Sequence, residues 1–269
     1  WGYTRISDVI DMKNIPAELT DGSVDIAFLA AGSDHAVAID EENNFYFWGN
    51  TRLRQDAYES NSDLNGALRR GELEVKQLEA GNQFSIILDT QGNVYLWGNS
   101  SGNELQCRDK ERVLEGEDKT PRQYQGNIEK VAVTEHAYVA LLKDGTVAYT
   151  GLEKDNALLT NLPAELTDGS VRDIAASSQN AAAIDENGKI WVWGVSTHGE
   201  KAVPEMESKP VKIYGGRYHY TVLLENGDVV AWGDDQYGQA SVPGSVEKAD
   251  IAAIYAGGNQ NYAVTKDGK

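Results

Sequence analysis

Cys107 is the only cysteine in 269 residues, which excludes an intramolecular disulfide and any cysteine-clustered zinc site. Histidine is nearly as scarce. None of His35, His136, His198 and His219 has the i, i+4 spacing that places two zinc ligands on one helical face. Basic residues are also few: 24 Lys and Arg against 42 Asp and Glu give a formal charge of −18. Affinity for a phosphate backbone comes largely from Lys and Arg, so no nucleic-acid partner is expected. No apolar run approaches the roughly 18 to 20 residues that span a bilayer, and no charged-then-apolar signal segment opens the chain. No membrane insertion of this domain is expected. The chain opens at Trp1 without a methionine and stops at Gly268-Lys269, which reads as a domain of a longer chain.

Glycine is abundant, at 27 residues, and the chain repeats itself. Pro16 to Val24 and Pro163 to Val171 both read PAELTDGSV. A looser unit recurs as HAVAIDEENNFYFWG (His35 to Gly49), FSIILDTQGNVYLWG (Phe84 to Gly98), NAAAIDENGKIWVWG (Asn180 to Gly194) and HYTVLLENGDVVAWG (His219 to Gly233). A fifth copy, Ala137 to Gly151, has Thr150 in the Trp position, and a sixth, Gln260 to Lys269, stops before its Trp-Gly. Gly92-Asn93, Asp144-Gly145, Asn187-Gly188, Asn226-Gly227 and Asp267-Gly268 sit between two apolar runs. Gly and Asn tolerate the positive φ of tight hairpins, so these are the predicted turns. The run after each turn, such as Phe45 to Trp48, is apolar at consecutive positions, which predicts burial on both faces. Small sheets covered on both faces by copies of themselves define a β-propeller. The duplicated nonapeptide, three units apart, favours six blades, with seven possible. Trp1-Gly2 has the composition of the strand missing from the last unit, so the ring is expected to close by pairing the N- and C-terminal strands.

The unit G-x-x-H, apolar run, D-G or N-G, apolar run, W-G, Y-G-Q resembles the RCC1 repeat, most fully from Gly216-Arg217-Tyr218-His219 to Trp232-Gly233 and Tyr237-Gly238-Gln239. The resemblance covers nearly the whole chain and implies an all-β, RCC1-like propeller in which residues 1–269 form a single domain. Bacterial, secreted RCC1-like propellers, among them a β-lactamase-inhibitory protein, look most similar, which favours an extracytoplasmic or cell-surface setting. Eukaryotic members, by the same resemblance, exchange guanine nucleotide on a small GTPase and bind nucleosomes. The acidic balance runs against the nucleosome role.

Candidate chemistry is sparse. His35 and His219 share a repeat slot that Phe84, Ala137, Asn180 and Gln260 fill elsewhere, so the slot is structural rather than metal-binding or proton-transferring. Gly98-Asn99-Ser100-Ser101-Gly102 has the letters of a nucleophile elbow without the helix that should follow. Acidic turns such as Asp40-Glu41-Glu42-Asn43 lack the ligand ladder of a calcium loop. No catalytic, cofactor-binding or metal-binding residue is therefore assigned. One surface does follow from the register: the loop between each blade's first strand and its G-x-x-H strand recurs on one face. It carries Asp34, Gln83, Phe84, Glu135, His136, Gln179, Arg217, Tyr218 and Asn259 as candidate contacts, with Tyr218 and Arg217 as anchors. The insertion Asn99 to Gln125 is a second candidate. The expectation is a monomeric, non-enzymatic scaffold for a protein partner. The alternatives are a carbohydrate- or peptide-binding or catalytic extracytoplasmic propeller, and guanine-nucleotide exchange on a small GTPase.

Overall fold

Apolar runs separated by Gly and Asn turns fold into small antiparallel sheets in the computed structural model. It describes residues 12, 14–50, 62–82, 84–98, 126–135, 137–150, 161–247 and 249–269. Five sheets have three strands each: β1 Ile26–Ala31, β2 His35–Asp40 and β3 Phe45–Gly49; β4 Val75–Ala80, β5 Phe84–Asp89 and β6 Val94–Gly98; β7 Ile128–Val133, β8 Tyr138–Leu142 and β9 Val147–Thr150; β10 Val171–Ala176, β11 Asn180–Asp185 and β12 Ile190–Gly194; β13 Pro210–Gly215, β14 His219–Leu224 and β15 Val229–Gly233. The sixth pairs β16 Ile251–Gly257 with β17 Gln260–Thr265, two strands among the described residues. One short helix, α1 Ser62–Arg69, precedes β4. The segments divide into two units, Trp1–Glu129 with Thr150–Leu152, and Lys130–Tyr149 with Glu153–Lys269.

Each sheet is built on the same local chemistry. The predicted hairpin glycines 92, 145, 188, 227 and 268 all have positive φ, and in the first sheet Asn43 takes that role at φ 65°. In three sheets the aspartate ending the middle strand ties the turn down. Asp40 accepts hydrogen bonds from the Glu42 and Asn44 amides, the Asn44 side chain and the Tyr46 hydroxyl. Asp89 does the same with the Asn93 amide and side chain and with Tyr95, and Asp185 with the Asn187 and Lys189 amides and the Trp191 indole. Burial opposes the Asp40 charge, but these donors outweigh it and hold the carboxyl below its usual value; burial and the bond to Asp40 push the Tyr46 hydroxyl up to about 12. The acidic turns considered for calcium are thus held by their own backbone, and no three-residue cluster of His, Cys, Asp or Glu suited to a metal occurs among the described residues.

The first strands share a bulge. Register slips between Ile26 and Phe28, Val75 and Gln77, Val171 and Asp173, Pro210 and Lys212, and Ile251 and Ala253, a position where an extra residue sharpens the strand's twist.

Burial corrects one expectation. The most fully covered strand is the middle one: β2, β5, β8 and β11 are buried at every position, while among third strands β6 is buried at all but one position, β12 at two of five and β3 is half-buried throughout. A middle strand has a partner on each edge and a neighbouring sheet over its faces; the third strand is an edge. Small side chains permit the close stacking, with Ala36, Ala38, Ala181, Ala182 and Ala183 all buried. In the second unit Val139 and Leu141 pack against Val171, Ile174 and Trp193, and Ala182 and Ile184 against Ile213, Tyr220, Val222 and Trp232. Of the recurrent tryptophans, Trp97, Trp193 and Trp232 are buried and Trp48 is half-buried. Trp193→Ala should cost about 3–5 kcal/mol in chemical denaturation, and Trp48→Ala clearly less; equal losses would refute this difference in packing.

Candidate binding face

The turn before each middle strand has three working positions. The first is Gly32, Gly81 or Gly216 where the slot residue is a ring: His35, Phe84 or His219. A Cβ on Gly81 would lie 2.1 Å from the Phe84 ring, and one on Gly216 2.0 Å from the His219 ring. Where the slot holds Ala137 or Asn180, the first position carries Thr134 or Ser177, whose hydroxyls bond the Ala137 backbone and the Asn180 side chain. A ring in the slot always follows a glycine and a small slot residue a hydroxyl, while the sixth turn combines Gly257 with Gln260.

The slot side chain then reaches the next sheet's middle strand. His35 Nε2 lies 2.8 Å from the Ser85 hydroxyl, and His219 Nε2 lies 2.9 Å from Asn261 Oδ1. Asn180 accepts a hydrogen bond from the Tyr220 hydroxyl, which burial pushes far above its ordinary value. Burial likewise holds the His219 imidazole below its usual value, against the opposing influence of Asn261 and Asp234. The histidines are inter-sheet links.

The second turn position forms a backbone chain within the second unit. The Glu135 amide donates to the Ser178 carbonyl, Ser178 to Arg217, and Arg217 to Gly258. The third position accepts the connection that leaves the Trp-Gly strand: Asn50 donates to the Asp34 carbonyl, Val195 to Gln179 and Asp234 to Tyr218. Gly49 and Gly233 reach this contact at φ 104° and 110°, and a Cβ there would lie 2.5 Å from the Asp34 and Tyr218 carbonyls. That close approach accounts for the glycine of Trp-Gly. The Y-G-Q segment folds on itself, since Gln239 accepts from the Tyr237 amide and donates to Asp234. Glu200, at the equivalent place and 1% exposed, accepts from Ser196 and the His198 amide.

The candidate contacts divide accordingly. Phe84, at 2% exposed, is core, and Asp34 is buried, bonded to the Asn50 side chain and 3.5 Å from His35 Nδ1. As exposed contacts both are corrected: the slot at a strand start is covered by the neighbouring sheet, and the third turn position here by the Asn50 connection. Tyr218 is half-buried with its ring stacked on His198 at 4.3 Å. Arg217 is exposed, its guanidinium 5.2 Å from the Tyr218 ring. Glu135 accepts from the Ser178 hydroxyl. The half-buried side chains of Gln179 and Asn259 make no hydrogen bond to another described residue. Gln83, His136 and Asn99 to Gln125 lie outside the described residues, as do Trp1-Gly2 and most of the Gly98 to Gly102 motif. Sequence reasoning missed the His198 stack, because its partner belongs to the preceding connection.

The comparisons agree with this architecture. The family model described as the regulator of chromosome condensation (RCC1) repeat matches residues 75–103, 171–200 and 211–239. Yeast RCC1 (Prp20), in its complex with Kap60, is similar at 19% identity and TM-score 0.67, over 90% of this chain and 68% of that one. Prp20p from Saccharomyces cerevisiae, in a structure reported with its binding to Gsp1p and histones, is 20% identical at TM-score 0.63, over 90% and 70% of the two chains. The CRINKLY WD40 ectodomain of the Arabidopsis thaliana receptor kinase ACR4 is 16% identical at TM-score 0.64, over 96% and 81%. No curated protein sequence matches. The fold is that of an all-β, RCC1-like propeller. Three segments of the chain carry the RCC1-type repeat.

Tyr218→Ala should lower the melting temperature through loss of the His198 stack, a contact of about 0.5–1.5 kcal/mol, whereas Arg217→Ala should leave it within error. Thermal melts of the two variants check this, and the reverse ranking would contradict it.

Proposed function

We propose that the chain is a non-enzymatic, monomeric scaffold that binds a protein partner through the turn face. One observation supports this most: in the second unit the second turn position, and at Asp34, Gln179 and Tyr218 the third, is held through its backbone, so the fold does not demand one side chain at these positions. They do vary, as Ser33-Asp34, Asn82-Gln83, Glu135-His136, Ser178-Gln179, Arg217-Tyr218 and Gly258-Asn259. Asp34 and Tyr218 also pack, but Arg217, Gln179 and Asn259 make no side-chain hydrogen bond to another described residue, and such side chains on turns that a sheet presents form a surface suited to recognition. Arg217, Gln179 and Asn259 are the contacts we favour, with Tyr218 buttressed by His198 behind Arg217. The charge of −18 argues for a protein over a nucleic acid. By comparison, yeast Prp20 binds Kap60, Gsp1p and histones, all proteins.

The test is a triple substitution, Gln179→Lys, Arg217→Glu and Asn259→Lys, assayed against partners captured by the unmodified chain and identified by crosslinking. Affinity should fall by about 2 kcal/mol or more with the melting temperature retained. Undiminished binding would move the contact to Asn99 to Gln125, and turnover of a glycoside or peptide would replace the reading with an enzymatic one.

The same proposal includes six blades closed by the terminal strands. Its support is that no strand among the described residues pairs with the outer edge of β17 and Tyr262 is 49% exposed, while Leu29 is 66% exposed although its counterparts Leu78, Val131, Ile174, Ile213 and Ile254 are buried. Deleting residues 1–11 should speed amide exchange in β17; unchanged exchange would contradict the closure.

A further inference from the structure

The last sheet of the second unit meets the preceding one through the Arg217–Gly258 backbone bond, the Tyr214–Tyr255 ring contact and one side-chain cluster centred on Asn261. Asn261 Oδ1 accepts from the Thr221 hydroxyl at 2.8 Å and from His219 Nε2 at 2.9 Å, and Asn261 Nδ2 donates to the Gln239 carbonyl at 2.6 Å. This arrangement fixes the tautomer: His219 carries its proton on Nε2 and presents a bare Nδ1. Nδ1 is buried and has no hydrogen-bond partner among the described residues. It faces the backbone of Gly216, where a Cβ would stand 2.5 Å away. A second proton would therefore create an imidazolium with its new N–H aimed at no acceptor. The more accessible side of that ring is the β17 side, because every position of β17 is exposed or half-buried, whereas β14 is buried at all but one position.

The charged surroundings do not compensate. The strands β14, β15, β16 and β17 contain no ionisable acid or base apart from His219 and tyrosines. Asp234, after β15, is the carboxylate that acts on the imidazole, and it is already bonded to the Gln239 side chain. Arg217, two residues before the histidine, adds like charge to a protonated ring, and β13 contributes Lys212. His35 in the first unit provides an internal contrast. It occupies the same slot, but the third turn position there is Asp34, whose carboxylate is 3.5 Å from His35 Nδ1; beside His219 that position is Tyr218.

We propose that His219 and Asn261 form an acid-released latch, whose protonation detaches the β16–β17 hairpin from the preceding sheet while the other sheets stay folded. The open hairpin lets His219 titrate near its ordinary value of about 6.5, while the closed, buried ring resists the proton. Below about pH 6.5 the open state therefore binds protons first. Its population should rise about tenfold per pH unit until the closed state also protonates.

Hydrogen–deuterium exchange of the whole chain at pH 7.5 and 5.5, corrected for intrinsic rates, tests the latch. Peptides covering Ile251–Thr265 should lose protection by up to about tenfold at pH 5.5, and those covering Phe84–Asp89 should not. His219→Phe and His219→Asn, residues that the slot accepts in other sheets, should remove the pH dependence whatever their basal exchange. Tyr218→Asp, which copies the Asp34 arrangement, should reduce it. Equal protection at both pH values in the unmodified chain would overturn the proposal, as would the same acid response in both His219 variants.

Discussion

Everything in this fold depends on how one small sheet is fastened to the next at the start of the middle strand. Hairpins and bulges determine each sheet, but a three-stranded sheet alone exposes two apolar faces. The slot residue supplies a directed link across the junction, from His35 to Ser85, Asn180 to Tyr220 and His219 to Asn261. Beside it, in the second unit, the turn amides donate from sheet to sheet. Backbone groups buried at such a junction need partners, and the regular turn supplies them without reference to side-chain identity. Ion pairing reinforces junctions too: Lys76 meets Glu129 at 2.7 Å, and Lys130 meets Asp173 at 2.6 Å while Asp173 also accepts from the Ile213 amide.

Under the proposed binding role, this division of labour explains why recognition would fall to a few residues. At the hairpin end of the sheets, Asp40, Asp89 and Asp185 are engaged by their own turns, so part of the chain's acidic character serves folding. At the opposite end the backbone holds the turns, which frees Arg217, Gln179 and Asn259. The sheets repeat while the side chains of these turns differ, an arrangement that would let the proposed partner be chosen without disturbing the core.

The repeat pattern, the hairpin glycines and the structural character of the histidine slot were legible in the sequence, because each reflects a local backbone demand or a slot that tolerates Phe. Burial was less legible. Consecutive apolar residues in Phe45 to Trp48 suggested the doubly covered strand, yet alanine-rich runs such as Ala181 to Ala183 fill that role; small size, rather than hydrophobicity, is what close stacking selects. Phe84 and Asp34 were placed on the right turn but on the wrong side of it, since register gives the position along a strand and not what covers it. The stacking of Tyr218 on His198 joins two connections twenty residues apart in sequence, and no local pattern announces it.

The pairing of ring with glycine and small slot residue with hydroxyl is the most specific consequence of this junction, and a double-mutant cycle measures it directly. Gly216→Ser alone forces the His219 ring aside and should destabilise by about 1–3 kcal/mol at neutral pH. Adding His219→Asn copies the Ser177 and Asn180 arrangement, so the double variant should be more stable than the sum of the single losses by at least about 1 kcal/mol. Strict additivity would contradict the account, because the turn and the slot would then be independent.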